Sequence, residues 1–483
     1  MNEFLFETIE TACKAIKNKQ LSPVELTHMT LNQIHEHEPR LNAFITVMEE
    51  EALAQAKQLE AEILNNHVRG PLHGIPIAVK DILQTKGVQT TSGSKIFEGW
   101  IPDEDAAVVQ RLREAGAIII GKANLHEFAM GATTENPHFG STRNPWNVTR
   151  IPGGSSGGSA VATATGMAFG AVGTDTAGSI RLPAALCGTV GFKPTYGLVS
   201  RTGCLPFSWS LDHVGPMTRT VKDAATMLEV MKGYDQEDRF FEKRNTPVTF
   251  DESLTSLKGV KLGFYEPYMF SGIDDGVERV IKQAFRQLES IGAEIVPIDL
   301  PGIDQALNAL KAIAQSEVVS FHEPLLKKFG HVYGDDLKYR FEFGIDISAT
   351  EYLRAQRRRE QFIRETNNQM KGIDALIGPT NVQPPFEIGT MVPEMAISNM
   401  FTLGKTPLAN ILGFPCLSVA CGFTSENLPV GLQFIGKPFS DQRVLQIGDC
   451  YEKSVQWVQA LKNNQVYMNA SVEKFLNDER RLR

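Results

Sequence analysis

The 483-residue sequence contains no run of 18 consecutive apolar residues, so no transmembrane helix is expected. Its six cysteines (Cys13, Cys187, Cys204, Cys416, Cys421 and Cys450) include no CxxC pair and no regular framework. They read as reduced thiols of a cytoplasmic protein rather than as a disulfide scaffold. The opening Met1-Asn2-Glu3-Phe4 has neither a basic n-region nor an apolar h-region, so no secretory signal is expected. There is no H-E-x-x-H, and His35-Glu36-His37 sits in a polar helical stretch, which argues against a metal site. Positive charge is scarce in blocks. Arg357-Arg358-Arg359 is the longest basic run, Glu351 and Glu360 lie near it, and the net charge is −8. The run reads as a solvated helix face, and neither nucleic acid nor membrane is expected as a partner. No cofactor is expected either.

What is present organises as an α/β chain. The first 65 residues read as helices. At Leu21-Ser22-Pro23-Val24-Glu25-Leu26, Ser22 can cap, Pro23 suits the first turn, Glu25 completes a capping box, and Leu21 can staple onto Leu26. From about residue 72 the period changes. Gly74 to Lys80 is a short apolar run suited to a buried strand, followed by a helix at Ala106–Ala115, a stop at Gly116 and a strand at Ala117–Ile120. Val260–Phe264, a helix near Gly276–Ile291 and Glu294–Ile298 repeat that rhythm. Asp374–Gly378, Cys416–Cys421 and Gly431–Ile435 read as further core strands, with a closing helix near Gln442–Lys453. The pattern predicts one large domain, residues 1–483, with a central mixed sheet covered by helices on both faces. Residues 300–372 read as a helical excursion beside a substrate cleft.

Glycine is abundant, 41 in all, and clusters between Gly153 and Gly215 in two segments. These are Pro152-Gly153-Gly154-Ser155-Ser156-Gly157-Gly158-Ser159 and Gly173-Thr174-Asp175-Thr176-Ala177-Gly178-Ser179-Ile180-Arg181. Neither supplies the lysine of a Walker loop, and Gly116 to Lys122, which does match G-x4-G-K, continues with Ala123 in place of the Mg²⁺-binding hydroxyl. Gly154 to Gly158 fits G-x-S-x-G around Ser156, but its approach from Asn144-Pro145-Trp146 is an irregular loop, and His213 is not marked as its partner. A serine nucleophile served by lysine fits better. Serine needs an adjacent base, and lysine becomes one when burial disfavours its ammonium form. Lys80 ends an apolar run, so its stem can lie in the core, while Asp81 should point to the opposite face.

From about Leu72 to Thr220 the chain resembles the amidase signature family. The resemblance rests on Gly74 to Asp81, Gly121 to Gly131, Pro152 to Ser159, Gly173 to Pro183 and Gly191 to Gly197, with fainter similarity at Pro429 to Gly436. It implies a 72–220 signature core and a Ser–cis-Ser–Lys triad, which falls on Ser179, Ser155 and Lys80, with a cis peptide before Ser155. It further implies an oxyanion hole from the N–H groups of Thr176, Ala177, Gly178 and Ser179. Ser156, Asp175 and Arg181 would support these groups, and Phe128, Ala129, Met130 and Gly131 would line the substrate pocket. The expected reaction is hydrolysis of a small carboxylic amide to acid and amine or ammonia through an acyl-enzyme. Nothing in the sequence opposes a homodimer.

Within the family, Phe128 to Gly131, Thr134-Glu135-Asn136 and Thr142 to Trp146 resemble the A-type chain of glutamyl-tRNA(Gln) amidotransferases, which implies release of ammonia from glutamine as the alternative activity. That type of chain is expected to carry an acidic residue just before a C-terminal Thr-Pro. Here Met400 to Pro407 has none and places Lys405 there, so a stand-alone amidase is the favoured reading. Arg359 is a candidate match for the carboxylate-binding arginine of those chains. All three triad positions are filled, which argues against an inactive scaffold.

Overall fold

The structure, a computed structural model, describes residues 4–238, 247–251, 253–392, 394–395 and 401–457. Its spine is an 11-stranded sheet. The strands in chain order are β1 (Phe44–Val47), β2 (Pro76–Lys80), β3 (Ile118–Ala123), β4 (Glu135–Asn136), β5 (Gly140–Ser141), β6 (Gly170–Asp175), β7 (Val190–Lys193) and β8 (His213–Thr218). They continue as β9 (Lys261–Phe264), β10 (Glu294–Pro297), β11 (Ala375–Pro379), β12 (Cys416–Phe423) and β13 (Pro429–Ile435). The sheet order is β1-β3-β2-β6-β8-β7-β12-β13-β11-β9-β10, with β4 and β5 forming a separate hairpin. Pairing is mixed: β2 runs parallel to β3 and β6, β9 runs parallel to β10 and β11, and the strands between β6 and β11 pair antiparallel.

Burial on both faces explains why β2 and β3 read as continuous apolar runs rather than alternating ones. Ile77, Val79, Ile119 and Val172 point into one core layer, and Ala78, Ile118, Ile120 and Ala171 into the other. The small Ala78 and Ala171 let helix Gly157–Ala164 lie close to the sheet. A methyl group on Gly158 would stand 2.3 Å from the Ala43 carbonyl oxygen and 2.5 Å from that of Asn124, so only glycine fits there. Gly158→Ala should therefore yield little folded protein, which soluble expression and thermal unfolding would report.

The expected strands, the closing helix (Asp441–Val455) and the capping box are in place. Ser22 Oγ accepts from the Val24 and Glu25 amides, and Glu25 accepts in return from the Ser22 N–H. The 300–372 region is three helices, Ile303–Phe329, Asp335–Ile345 and Ala349–Gln369. Two expectations need correction. The N-terminal 65 residues are not wholly helical: Asn42 stops helix Pro23–Leu41 in a left-handed conformation, and β1 follows, pairing antiparallel with β3. The arginine run is a solvated face only in part: Arg357 is exposed, but Arg359 is half-buried, with Nε donating to the Ile411 carbonyl (3.0 Å) and its guanidinium over the Tyr196 ring. No helix among the described residues is long and apolar enough to cross a membrane, and no metal-binding cluster occurs among them.

Candidate active site

Adjacent strands β2 and β6 carry the centre of the site. Lys80 closes β2 and is fully buried. Its Nζ donates to Ser155 Oγ and to Thr174 Oγ1 of β6, both at 2.7 Å. Burial pushes the Lys80 ammonium down to about 7, against a smaller opposing pull from Cys204, Asp175 and Asp212. Asp81 points away, as expected, and forms a buried ion pair with Lys122 (3.0 Å), whose Nζ also donates to Thr90 Oγ1 and the Leu83 carbonyl. Lys80 is thus left without a carboxylate at ion-pair distance among the described residues.

Ser155 follows a cis peptide bond from Gly154, as the family resemblance implies. It lies in the loop that enters helix Gly157–Ala164. The Ser179 segment meets this loop through its backbone, where the Ser156 N–H donates to the Ser179 carbonyl (3.2 Å). Ser156 Oγ bridges back to β6, donating to the Thr174 carbonyl and accepting from the Thr174 N–H, both 3.3 Å. Ser179 is half-buried where Lys80 and Ser155 are fully buried, so of the three it is the one that solvent touches.

Asp175 shapes the turn that carries Ser179. Its carboxylate accepts from the Gly178 N–H (2.8 Å), the Ile180 N–H (3.2 Å) and Arg181 Nε (2.9 Å). Arg181 holds the Asp175 carboxyl well below the usual carboxylate range despite burial of both groups. The guanidinium also donates to the Thr406 carbonyl (2.9 Å), Asn410 Oδ1 (2.6 Å) and Gln433 Oε1 (3.3 Å). Thr406 Oγ1 donates to the Ala177 carbonyl (2.7 Å). At Gly178 φ is +133°, and a Cβ there would lie 2.0 Å from Thr406 Oγ1, so the turn admits only glycine. Of the four expected oxyanion donors, Gly178 is already committed to Asp175. The N–H groups of Thr176, Ala177 and Ser179 make no hydrogen bond to the described residues. Arg181→Met would strand a buried carboxylate and should cost about 3–5 kcal/mol of stability. Chemical denaturation would measure this, and a loss below about 1 kcal/mol would refute the account of the turn.

Phe128, Ala129, Met130 and Gly131 are all buried beside this centre, with Phe128 and Ala129 at positive φ. Phe128 and Met130 pack with Phe207 and with Val318, Tyr333, Leu337 and Phe341 of the helical excursion. The excursion is latched to that loop, because Glu127 accepts from the Gly334 N–H (2.9 Å) and His126 Nε2 meets Asp336 Oδ2 (2.8 Å). His213 is not a partner of any serine here. Its Nδ1 faces the Leu211 (2.6 Å) and Asp175 (3.1 Å) carbonyls, and burial drives its pKa far down. Sequence reasoning missed Thr174 as a ligand of the lysine, although it lies in the quoted Gly173–Arg181 segment. It also missed Asn410, for which no local signal exists.

The Amidase family profile matches residues 25–445. Among curated proteins, the A-type chain of the glutamyl-tRNA(Gln) amidotransferase of Symbiobacterium thermophilum is 42% identical over 459 residues, covering 90% of this chain and 94% of that protein. Among solved structures, the corresponding amidotransferase chain of Thermotoga maritima is 36% identical with a TM-score of 0.79, covering 93% of this chain and 95% of its own. The native peptide amidase of Stenotrophomonas maltophilia is 30% identical with a TM-score of 0.82, covering 94% and 98%.

Proposed function

Because the chain belongs to the amidase signature family, whose members act on carbon–nitrogen bonds, we propose that it hydrolyses a carboxylic amide through an acyl-enzyme on Ser179. The carrying observation is a fully buried lysine near neutrality, hydrogen-bonded to the hydroxyl of Ser155. Neutral Lys80 takes the Ser155 proton as Ser155 takes that of Ser179, and Ser179 Oγ attacks the amide carbonyl carbon. The oxyanion is met by the N–H groups of Thr176, Ala177 and Ser179, each preorganised donor being worth about 3–4 kcal/mol. The carbon–nitrogen bond breaks as the proton returns through Ser155 to the leaving nitrogen, and water then cleaves the acyl ester. Ser155 and Ser179 Oγ are not hydrogen-bonded to each other in this structure, so rotation of the half-exposed Ser179 side chain closes the second leg of the relay when substrate fills the site. Ser156, Asp175 and Arg181 fix the two backbones, and Phe128 to Gly131 wall the pocket. The whole chain acts as one amidase unit.

Two readings of the amide remain. The names of the similar curated proteins, 36–42% identical over nearly the whole chain, favour an amidotransferase component that takes ammonia from glutamine, over the stand-alone enzyme expected from the sequence. The stand-alone reading keeps one observation: no acid precedes Thr406-Pro407, and Lys405 occupies that place. Assay of the purified chain with glutamine and with simple aliphatic and aryl amides separates them. Turnover of glutamine alone, or only alongside partner proteins, selects the amidotransferase. Turnover of simple amides selects the free-standing hydrolase.

A further inference from the structure

Strand β6 ends at Asp175 and β8 begins at His213, and these two residues are register partners in an antiparallel pair. The residues just outside them, Thr176 and Asp212, therefore meet at the start of the Ser179 turn. Thr176 Oγ1 donates to Asp212 Oδ1 at 2.5 Å. The other oxygen, Oδ2, accepts from the Phe207 and Ser208 N–H groups at 2.9 and 3.0 Å. Asp212 is buried, and no lysine or arginine lies at ion-pair distance from it among the described residues. Burial lifts its carboxyl to about 6, so it is largely ionised at neutral pH. A buried carboxylate without a cation is costly, and an asparagine would accept from both loop amides without that cost. What the charge adds lies at the other oxygen. Facing a carboxylate, the Thr176 hydroxyl can only donate, which holds the side chain of the residue whose N–H is the first of the oxyanion donors.

This hold is itself braced from the far side. Ser208 Oγ (2.6 Å), the Ser210 N–H (3.0 Å) and Ser210 Oγ (2.7 Å) all donate to Glu317, a buried residue of helix Ile303–Phe329. Phe207 packs in the cluster that contains Phe128 and Met130. Loop 207–212 thus ties the helical excursion and the pocket wall to the Ser179 turn. The Asp212 charge also favours the Lys80 ammonium, the form that appears as the relay moves. Of the other two groups that pull the same way, burial keeps the Cys204 thiol neutral and Asp175 is paired with Arg181. We propose that Asp212 is a positioning residue for the reaction at Ser179, acting through the Thr176 hydroxyl to set the oxyanion donors. This rests on the Ser179 reading and adds a residue to it.

Asp212→Asn is the direct probe. Its carbonyl oxygen can keep both loop amides, while its amide nitrogen meets Thr176 as a donor and leaves the hydroxyl proton without an acceptor. Fluorophosphonate labelling run to completion counts the folded sites, and kcat is taken per labelled site, so partial misfolding does not enter. On that scale Asp212→Asn should lower kcat about 10- to 100-fold, with KM changed by less than about threefold. Thr176→Val should lose a similar amount, and Thr176→Ser should recover most of it. In the Asp212→Asn background Thr176→Val should cost no more than about twofold further, because the interaction is already gone. A merely structural aspartate predicts fewer labelled sites with wild-type kcat at each. That result, a loss carried by KM, or losses that multiply in the double variant would overturn the inference and leave the Ser179 reading standing. A wild-type chain that takes no label on Ser179 would overturn both together.

Discussion

Ser179→Ala is expected to lower kcat for amide hydrolysis by at least about 10⁴-fold, because it removes the atom proposed to form the acyl bond. The Ser179 side chain is half-exposed and makes no hydrogen bond to the described residues, so the folded structure does not depend on it. Thermal unfolding should therefore change little, as for other surface substitutions, within about 0.5 kcal/mol. Fluorophosphonate labelling should vanish in the same variant. Steady-state kinetics decide the matter, and an alanine enzyme with wild-type turnover would show that another group attacks the amide.

Lys80→Met should cost about 10³- to 10⁴-fold in kcat/KM, in line with loss of a positioned general base. The pH profile is the more specific readout. The protonated amine cannot accept the Ser155 proton, so in the wild type kcat/KM should rise about tenfold per pH unit below about 7 and level off above it. The direction follows from the cause: burial disfavours the ammonium, so the working form is the deprotonated one on the alkaline side. The methionine variant should lose this inflection. Methionine matches the buried stem and removes a desolvated amine, leaving the Ser155 and Thr174 hydroxyls each short of one partner. A wild-type profile flat from about pH 5 to 9, or an inflection retained in the variant, would remove Lys80 as the base.

The central strands are plain in the sequence because Pro76–Lys80 and Ile118–Ala123 are buried on both faces and leave an unbroken apolar record. The edge strand Phe44–Val47 is hidden for the converse reason. It is four residues long, partly exposed, and squeezed between two long helices whose propensity dominates the surrounding window. Lys80, Ser155 and Ser179 are legible through short ordered motifs. The groups that hold Arg181 are not, since Asn410 and Gln433 lie 229 and 252 residues away and nothing local ties them to it. Arg359 does carry a signal: it lies on the same helical stripe as buried Ala355, Phe362 and Thr366. Charge suggests solvent there, and periodicity turns it toward the packed side, where it is half-buried.

The grip of Thr406, Asn410 and Gln433 on the Asp175–Arg181 pair sets when the enzyme can exist at all. Ribosomes deliver Lys80, Ser155 and Ser179 well before those three residues, so a nascent chain holds the amine and both hydroxyls without the clasp that arranges them. The turn that carries Ser179 is therefore complete only once residue 433 has joined the fold. A polypeptide ending at residue 400 should accordingly fail to take a fluorophosphonate label.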